Sequence, residues 1–432
     1  MKNVLRKKIP VLLISLLITS ISLTGCGATK SSTTNDSPST PKKVTLTFWN
    51  GFTATDGDVL KEIVKGYNDK NSDKVEIKMD IMPWGQLFQK LPPSIATNTA
   101  PSFVLMGPAN IVEYINNGQV QDMSDFFTST GADKSNFSDA SLSLGNFKGK
   151  QYGIPMQNFG IYLYWNKDLY KAAGLDPEKG PESLEQMAEY AVKLTDAKKG
   201  QFGLGLPIGG APQYYATFLR ANGGEAVDLK NMKSVLNTPD NIKTFDFIRD
   251  LTFNKKVSPK GVTGANMDSL MFSGKVAMYM NGPWLVPGLK KNNVNFGVSL
   301  IPKGSVKQNT ILDGSIFAIP KGTPPDQKKA VYDFVKYWNT TEICKEWSVK
   351  NGFPPYLKSV TEDATIKSDP TLSVMSTMSA VATPWNLGLT STGKIDNDIL
   401  YPMVEALQSG GDTSNLVKKA SDQLDVVLKS EK

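Results

Sequence analysis

The chain has 432 residues, 48 basic against 41 acidic side chains, two cysteines and no histidine. The missing imidazole removes Ser-His and Cys-His nucleophile activation and the usual zinc sites, and two cysteines cannot form a disulfide framework. The formal charge of +7 calls for no nucleic-acid partner, because the first 25 residues hold four of the basic side chains and no acid, leaving 44 basic against 41 acidic.

Lys2, Arg6, Lys7 and Lys8 precede an apolar stretch from Ile9 to Leu23, and small residues lead into Cys26. This is the build of a secretory signal peptide over residues 1–25, with an apolar stretch too short for a comfortable membrane span. Leu23-Thr24-Gly25-Cys26 resembles the lipobox of bacterial lipoproteins, which implies a diacylglyceryl thioether on Cys26 as the mature N-terminus. Two acyl chains suffice for stable anchoring, where one is marginal. Residues 26–43 then form the lipidated cysteine and a flexible tether: Thr29 to Lys43 is Ser, Thr, Asn, Asp, Pro and Lys, too polar to offset its ordering entropy. Cys344 is the only cysteine beyond Cys26, so an exported body must rest on its core rather than on disulfides. Roughly 390 residues are enough for two domains.

Within the body, Val44, Leu46 and Phe48 alternate with threonines as a strand, and Val75, Ile77, Met79 and Ile81 form a second. Between them Val59, Ile63 and Tyr67 recur at helical spacing behind Asp56 or Asp58. Trp84 to Ala96 reads as a helix interrupted at Pro92-Pro93, and Phe103 to Met106 as a buried strand. Later helices are marked by Leu184, Met187, Ala188, Ala191 and Leu194, by Thr238-Pro239, by Val331 to Trp338 and by Leu416 to Leu428. Val276–Met280, Phe296–Ile301 and Ile316–Ile319 read as strands, so the class is α/β without internal repeats.

Five short segments carry a resemblance to the extracellular solute-binding protein family 1, the group that contains maltose-binding protein. They are Leu46-Thr47-Phe48-Trp49-Asn50, Ala100 to Val104, Tyr164 to Leu169, Phe272 to Met278 with Asn281-Gly282-Pro283-Trp284, and Gly314-Ser315 before Phe317 to Pro320. The resemblance spans about Val44 to Leu428 and implies a two-lobed periplasmic-binding-protein fold. Its lobes are discontinuous, joined by a multi-segment hinge, with the ligand in the cleft between them. On this chain the N-terminal lobe would hold 44–155 plus 313–351, and the C-terminal lobe 156–312 plus 352–432. It further implies an extracellular substrate-binding lipoprotein of an ATP-driven (ABC) importer, anchored through Cys26 at the outer face of the cytoplasmic membrane. Such a protein is no enzyme, needs no cofactor or metal, acts as a monomer, and delivers a carbohydrate to membrane permease subunits.

A sugar presents apolar C–H faces and a rim of hydroxyls, so aromatic rings and Asp, Asn or Gln side chains in loops after strands are the candidates. Trp284 leads them, in the turn where the resemblance places a sugar-stacking tryptophan. Trp49, Asn50 and Phe52 follow the first strand, Trp84 the second, and Met106 with Gly107 the third. The family's tryptophan and nearby acid are absent at that third strand, which counts against maltodextrin. Gln157 and Asn158 fall at the first hinge crossing and Asp313 and Gly314 at the second, while Tyr162 and Trp385 complete the set. Alternatives remain open: an acidic sugar or a glycerol phosphate ester, a surface glycan-binding protein without an importer, and a glycoside hydrolase, which would need two opposed carboxylates. Only Arg220 and Arg249 follow the leader, which leans against a strongly anionic solute.

Overall fold

A computed structural model describes residues 43–53, 55–208, 214–385 and 388–431. The expected leader, Cys26 and nearly all of the tether lie outside the described residues. In chain order the elements that matter are β1 (Val44–Asn50), α1 (Thr55–Lys70), β2 (Val75–Ile81), α2 (Trp84–Ala96), β3 (Phe103–Met106) and α3 (Pro108–Asn116). There follow β4 (Ile154–Phe159), β5 (Tyr162–Asn166), α4 (Leu184–Leu194), β6 (Phe202–Gly205), α5 (Tyr214–Ala221), β7 (Val276–Asn281), α6 (Leu285–Lys291) and β8 (Phe296–Leu300). The last are β9 (Thr310–Ala318), α7 (Pro325–Trp338), α8 (Thr341–Asn351), β10 (Ala382–Pro384) and α9 (Thr413–Ser430).

Two sheets result. The first runs β10-β9-β3-β1-β2, with β4 also paired to β9; β1 is parallel to β2 and β3, and β9 is antiparallel to β3 and β4. The second runs β8-β5-β7-β6, with β5 antiparallel to both of its neighbours. Strand alternation sorts the side chains of the first sheet onto two faces. Leu46, Phe48, Phe103 and Phe317 meet α7 and α8, with Phe48 stacked on Phe103 at 4.2 Å between centroids. Trp49, Val104, Met106 and Ile316 meet α2 and α3 on the other. Each large apolar side chain so enclosed contributes roughly 1.5–3 kcal/mol relative to exposure. In the second sheet Leu163, Trp165, Leu204 and Met278 face α4, α5 and α9.

Three expectations are corrected by this packing. Pro92 and Pro93 do not interrupt α2, which continues to Ala96. Pro92 has no N–H to offer the Phe88 carbonyl four residues back, and the Tyr114 hydroxyl donates to that oxygen instead, at 3.5 Å. The return strand β9 begins at Thr310 rather than Ile316, adding Asp313 and Gly314 to the ladder. The lobe boundaries expected at 155/156, 312/313 and 351/352 cut units that the structure keeps whole. β4 stays in the first sheet through Phe159, β9 is one strand, and Phe353, Tyr356, Leu357, Val360, Ile366 and Leu372 pack into the first core. The chain passes between sheets at Gly160-Ile161, where Thr310 Oγ1 accepts from the Ile161 N–H at 3.0 Å and donates to the Ile161 carbonyl at 2.7 Å.

Candidate functional site

A cavity of about 670 Å³ opens where the loops after β1 and β3, the paired strands β4 and β9, and the turn after β7 converge. From the first loop come Gly51, Phe52 and Thr53. The loop is shaped by Asn50, whose buried Oδ1 accepts the Phe52 N–H at 3.2 Å. Trp84 and Phe88, one turn apart at the start of α2, stack at 5.9 Å and 18°, and Phe52 meets Trp84 edge-on at 5.7 Å. The Trp84 indole lies so close to Gly51 that a Cβ there would fall 2.1 Å from it, so only glycine admits this ring. Gly107 and Asn110 contribute from the start of α3, and Asp56 from α1.

The floor is the antiparallel pair of β4 and β9. Ser315 stands opposite Gln157 and Asp313 opposite Phe159, and alternation turns all four toward the cavity. Burial pushes the Asp313 carboxyl up to about 6; the Gly314 N–H acts against this and the charge of Asp396 adds to it. Asp396, from a π-helical turn at Ile395–Leu400, is also pushed up to about 6 by burial, although Trp385 Nε1 (2.8 Å) and the Tyr215 hydroxyl (3.3 Å) donate to it.

Trp284 closes the cavity from the second sheet. The turn that carries it is pinned by Asn281, whose Nδ2 donates to Asp268 Oδ1 at 2.8 Å while its Oδ1 accepts the Gly282 N–H at 2.8 Å. The Tyr164 hydroxyl donates to the Gly282 carbonyl at 2.9 Å. A Cβ on Gly282 would sit 2.2 Å from the indole, so the ring folds back over a bare backbone. Trp284 remains 40% exposed, in contrast to the enclosed tryptophans of the two cores. Phe353, after the left-handed Gly352 that ends α8, adds a ring at 6.2 Å from Phe159.

Of the residues singled out from the sequence, Phe52, Trp84, Gly107, Gln157, Trp284, Asp313 and Gly314 meet in this cavity. The others do not. Trp49 is core, its Nε1 donating to Asp80 Oδ2 at 3.0 Å, and Met106 is fully enclosed under α3. Asn50 supports the loop without lining the cavity. Asn158 points the opposite way from Gln157, toward a smaller cavity of about 210 Å³ beside Tyr356 and Met375. Tyr162 is buried, with its hydroxyl donating to the Met375 carbonyl at 3.3 Å. Trp385 turns inward to Asp396, flanked by Tyr215 at 5.6 Å and the Arg220 guanidinium at 5.2 Å. Residues not anticipated are Gly51, Thr53, Asp56, Phe88, Asn110, Phe159, Ser315 and Phe353. Phe159 and Ser315 were two positions beyond named candidates on strands, and Phe88 four beyond Trp84 on a helix.

Aromatic side chains make up much of the cavity lining, with Asp, Asn, Gln, Ser and Thr between them. No Lys or Arg lines it among the described residues, and no cluster of three His, Cys, Asp or Glu there is placed to hold a metal. The arrangement suits a solute with apolar faces and hydroxyl edges.

A family model of bacterial extracellular solute-binding proteins matches residues 62–374. A maltotriose-binding protein of Pyrococcus abyssi is 22% identical over 334 residues, covering 76% of this chain and 70% of its own length. An sn-glycerol-3-phosphate-binding periplasmic protein of Brucella abortus is 24% identical over 348 residues, covering 75% and 77%. Among solved structures, the GacH receptor of Streptomyces glaucescens, determined unliganded and with acarbose, has a TM-score of 0.79 at 23% identity, covering 90% of this chain and all of its own.

Proposed function

The chain belongs to the bacterial extracellular solute-binding proteins, and from that premise we propose that it captures a neutral oligosaccharide for an ABC importer. The sugar lies between the two sheets and is handed unchanged to the permease. Cys26 carries the lipid that keeps the protein at the outer face of the membrane, and the tether lets the body reach its partner.

The observation that carries the neutral-sugar reading is the composition of the cavity. Trp84, Trp284, Phe52, Phe159 and Phe353 bring aromatic rings to its walls, while Asp313 and Gln157 offer polar edges and no Lys or Arg is on the described lining. Aromatic faces pack against sugar C–H groups, and carboxylates accept hydroxyl protons. A phosphate or uronate would meet Asp313 with no Lys or Arg on the described lining to offset the repulsion. The maltotriose-binding relative agrees with this assignment, while the glycerol-phosphate-binding relative keeps a phosphate ester as the runner-up.

The test is a thermal-shift panel of neutral, uronic and phosphorylated mono- and oligosaccharides together with sn-glycerol 3-phosphate. A solute at ~100 times its Kd stabilises the fold by roughly 2.7 kcal/mol. Neutral sugars are expected to raise the melting temperature and the anions to leave it unchanged. The reverse pattern would replace the neutral-sugar reading with the phosphate one.

A further inference from the structure

Trp347 on α8 is only 1% exposed and does not reach the cavity, yet it holds three groups that do. Its indole stacks on Phe52 at 5.9 Å and 23°, and lies 6.0 Å from Phe353. Trp338 backs it at 5.2 Å and is itself fixed, because its Nε1 donates to the Met156 carbonyl at 2.9 Å. The third group is Gln157, whose Oε1 accepts from Trp347 Nε1 at 3.0 Å.

An indole nitrogen only donates. The end of the Gln157 amide that faces Trp347 must therefore be the oxygen, since the opposite flip would set N–H against N–H and leave a buried donor unpaired. Among the described residues nothing accepts from Gln157 Nε2, and that nitrogen is not enclosed, so the NH₂ group is the end left to the cavity. Across the ladder, Asp313 stands two residues further along and supplies an acceptor. The floor thus presents a donor from β4 and an acceptor from β9, on the order of 7 Å apart along the strands.

We infer that Trp347 is a positioning residue that sets the hydrogen-bonding polarity of the floor, so that the solute meets Gln157 with an acceptor oxygen and Asp313 with a hydroxyl. This rests on the reading of the cavity as the solute site and adds which atom types the solute places where. Ring, glycosidic and hydroxyl oxygens satisfy Gln157; an ammonium group does not.

Gln157→Glu keeps the shape of the side chain and exchanges the NH₂ for an oxygen. The first reading needs no solute: the introduced carboxyl is titrated by carbon-13 NMR in Gln157→Glu and again with Trp347→Phe added. Donation from the indole favours the ionised carboxyl, so removing it is expected to raise the titration midpoint by about one pH unit. Equal midpoints would overturn the inference. Should Trp347→Phe not fold, exchange of the Trp347 indole proton in Gln157→Leu takes its place, expected at least tenfold faster than in wild type and contradictory if unchanged. The second reading is calorimetric titration with the neutral oligosaccharide that gives the largest thermal shift in the panel above, at least one pH unit above that midpoint. Gln157→Glu is expected to weaken binding at least tenfold, because an anionic oxygen then faces the solute's acceptor. Unchanged or tighter binding would mean the solute donates at this position and would overturn the inference. Failure of wild type to bind any sugar would remove the sugar-site reading, while the polarity of Gln157 would still be decided by the titration pair.

Discussion

Trp284 meets Phe159 edge to face, with ring centroids 5.0 Å apart and planes at 89°. Phe159 ends β4 in the first sheet and Trp284 follows β7 in the second, so the aromatic wall of the cavity is assembled from both. A solute that packs on both rings would touch both sheets at once. This is the geometry in which binding energy favours one relative placement of the two.

Trp284→Ala separates recognition from packing. Loss of one stacking face should weaken sugar binding by roughly ten- to a hundredfold, equivalent to about 1.5–3 kcal/mol. Because the indole is 40% exposed, unliganded stability should fall by about 1 kcal/mol or less, against about 3–5 kcal/mol for a core tryptophan. Calorimetric titration and urea denaturation of the same variant check both numbers. A large loss of stability with unchanged affinity would show the ring to be structural.

Asp313→Asn should alter the pH dependence of the unliganded protein. With its folded pKa raised to about 6 against about 3.9 unfolded, the carboxyl favours the fold fully below pH ~4, and that contribution is lost as pH rises through about 6. Asparagine keeps an acceptor for the Gly314 N–H and avoids burying a charge. The variant is therefore expected to be more stable than wild type at pH 7–8 by on the order of 2 kcal/mol, with the difference vanishing near pH 4. Urea denaturation across pH 4–8 measures it, and parallel curves for the two proteins would contradict the assignment. Sugar binding at pH 7.5 should weaken in the same variant, since the charged acceptor is gone.

Much of this architecture was legible in strand alternation and helical spacing, because β1, β2, β3 and β7 each carry their buried residues in the expected rhythm. What could not be read was set by contacts distant in sequence. The Phe88 carbonyl left open by Pro92 is met by the Tyr114 hydroxyl, and the inward-turned Trp385 donates to Asp396. Other misses were avoidable. Gln157 and Asn158 are neighbours on one strand, so the pleat sends them to opposite faces, and the same rule that rejects Asn158 nominates Phe159. Trp49 lies in the last turn of the β1 pleat, opposite Phe48, and so faces α2 and not the loop.

Tyr114→Phe tests the proline helix directly. Without the hydroxyl, the Phe88 carbonyl freed by Pro92 loses its 3.5 Å donor. Unfolding free energy should fall by about 0.5–1.5 kcal/mol, the net worth of one hydrogen bond. Because Phe88 lines the cavity, sugar affinity should also drop a few-fold. A variant as stable as wild type would show that water serves the carbonyl equally well.

Cys26→Ser addresses the anchor. In a lipoprotein-processing bacterium, wild type should partition with membranes and show a lipid-modified N-terminal cysteine by mass spectrometry, while the variant should remain unprocessed or be released. An unmodified wild-type N-terminus would contradict the lipoprotein reading.

The cavity between the two sheets is proposed to hold a neutral sugar. The most direct measurement is calorimetric titration of the purified body, from Val44 onward, with the best neutral sugar from the thermal-shift panel, repeated on Trp284→Ala and followed by recovery of the solute. One-to-one binding is expected, weakened ten- to a hundredfold in the variant, with the sugar recovered chemically intact. Saturable binding of an anion alone, affinity indifferent to Trp284, or steady conversion of the sugar in proportion to protein would contradict it.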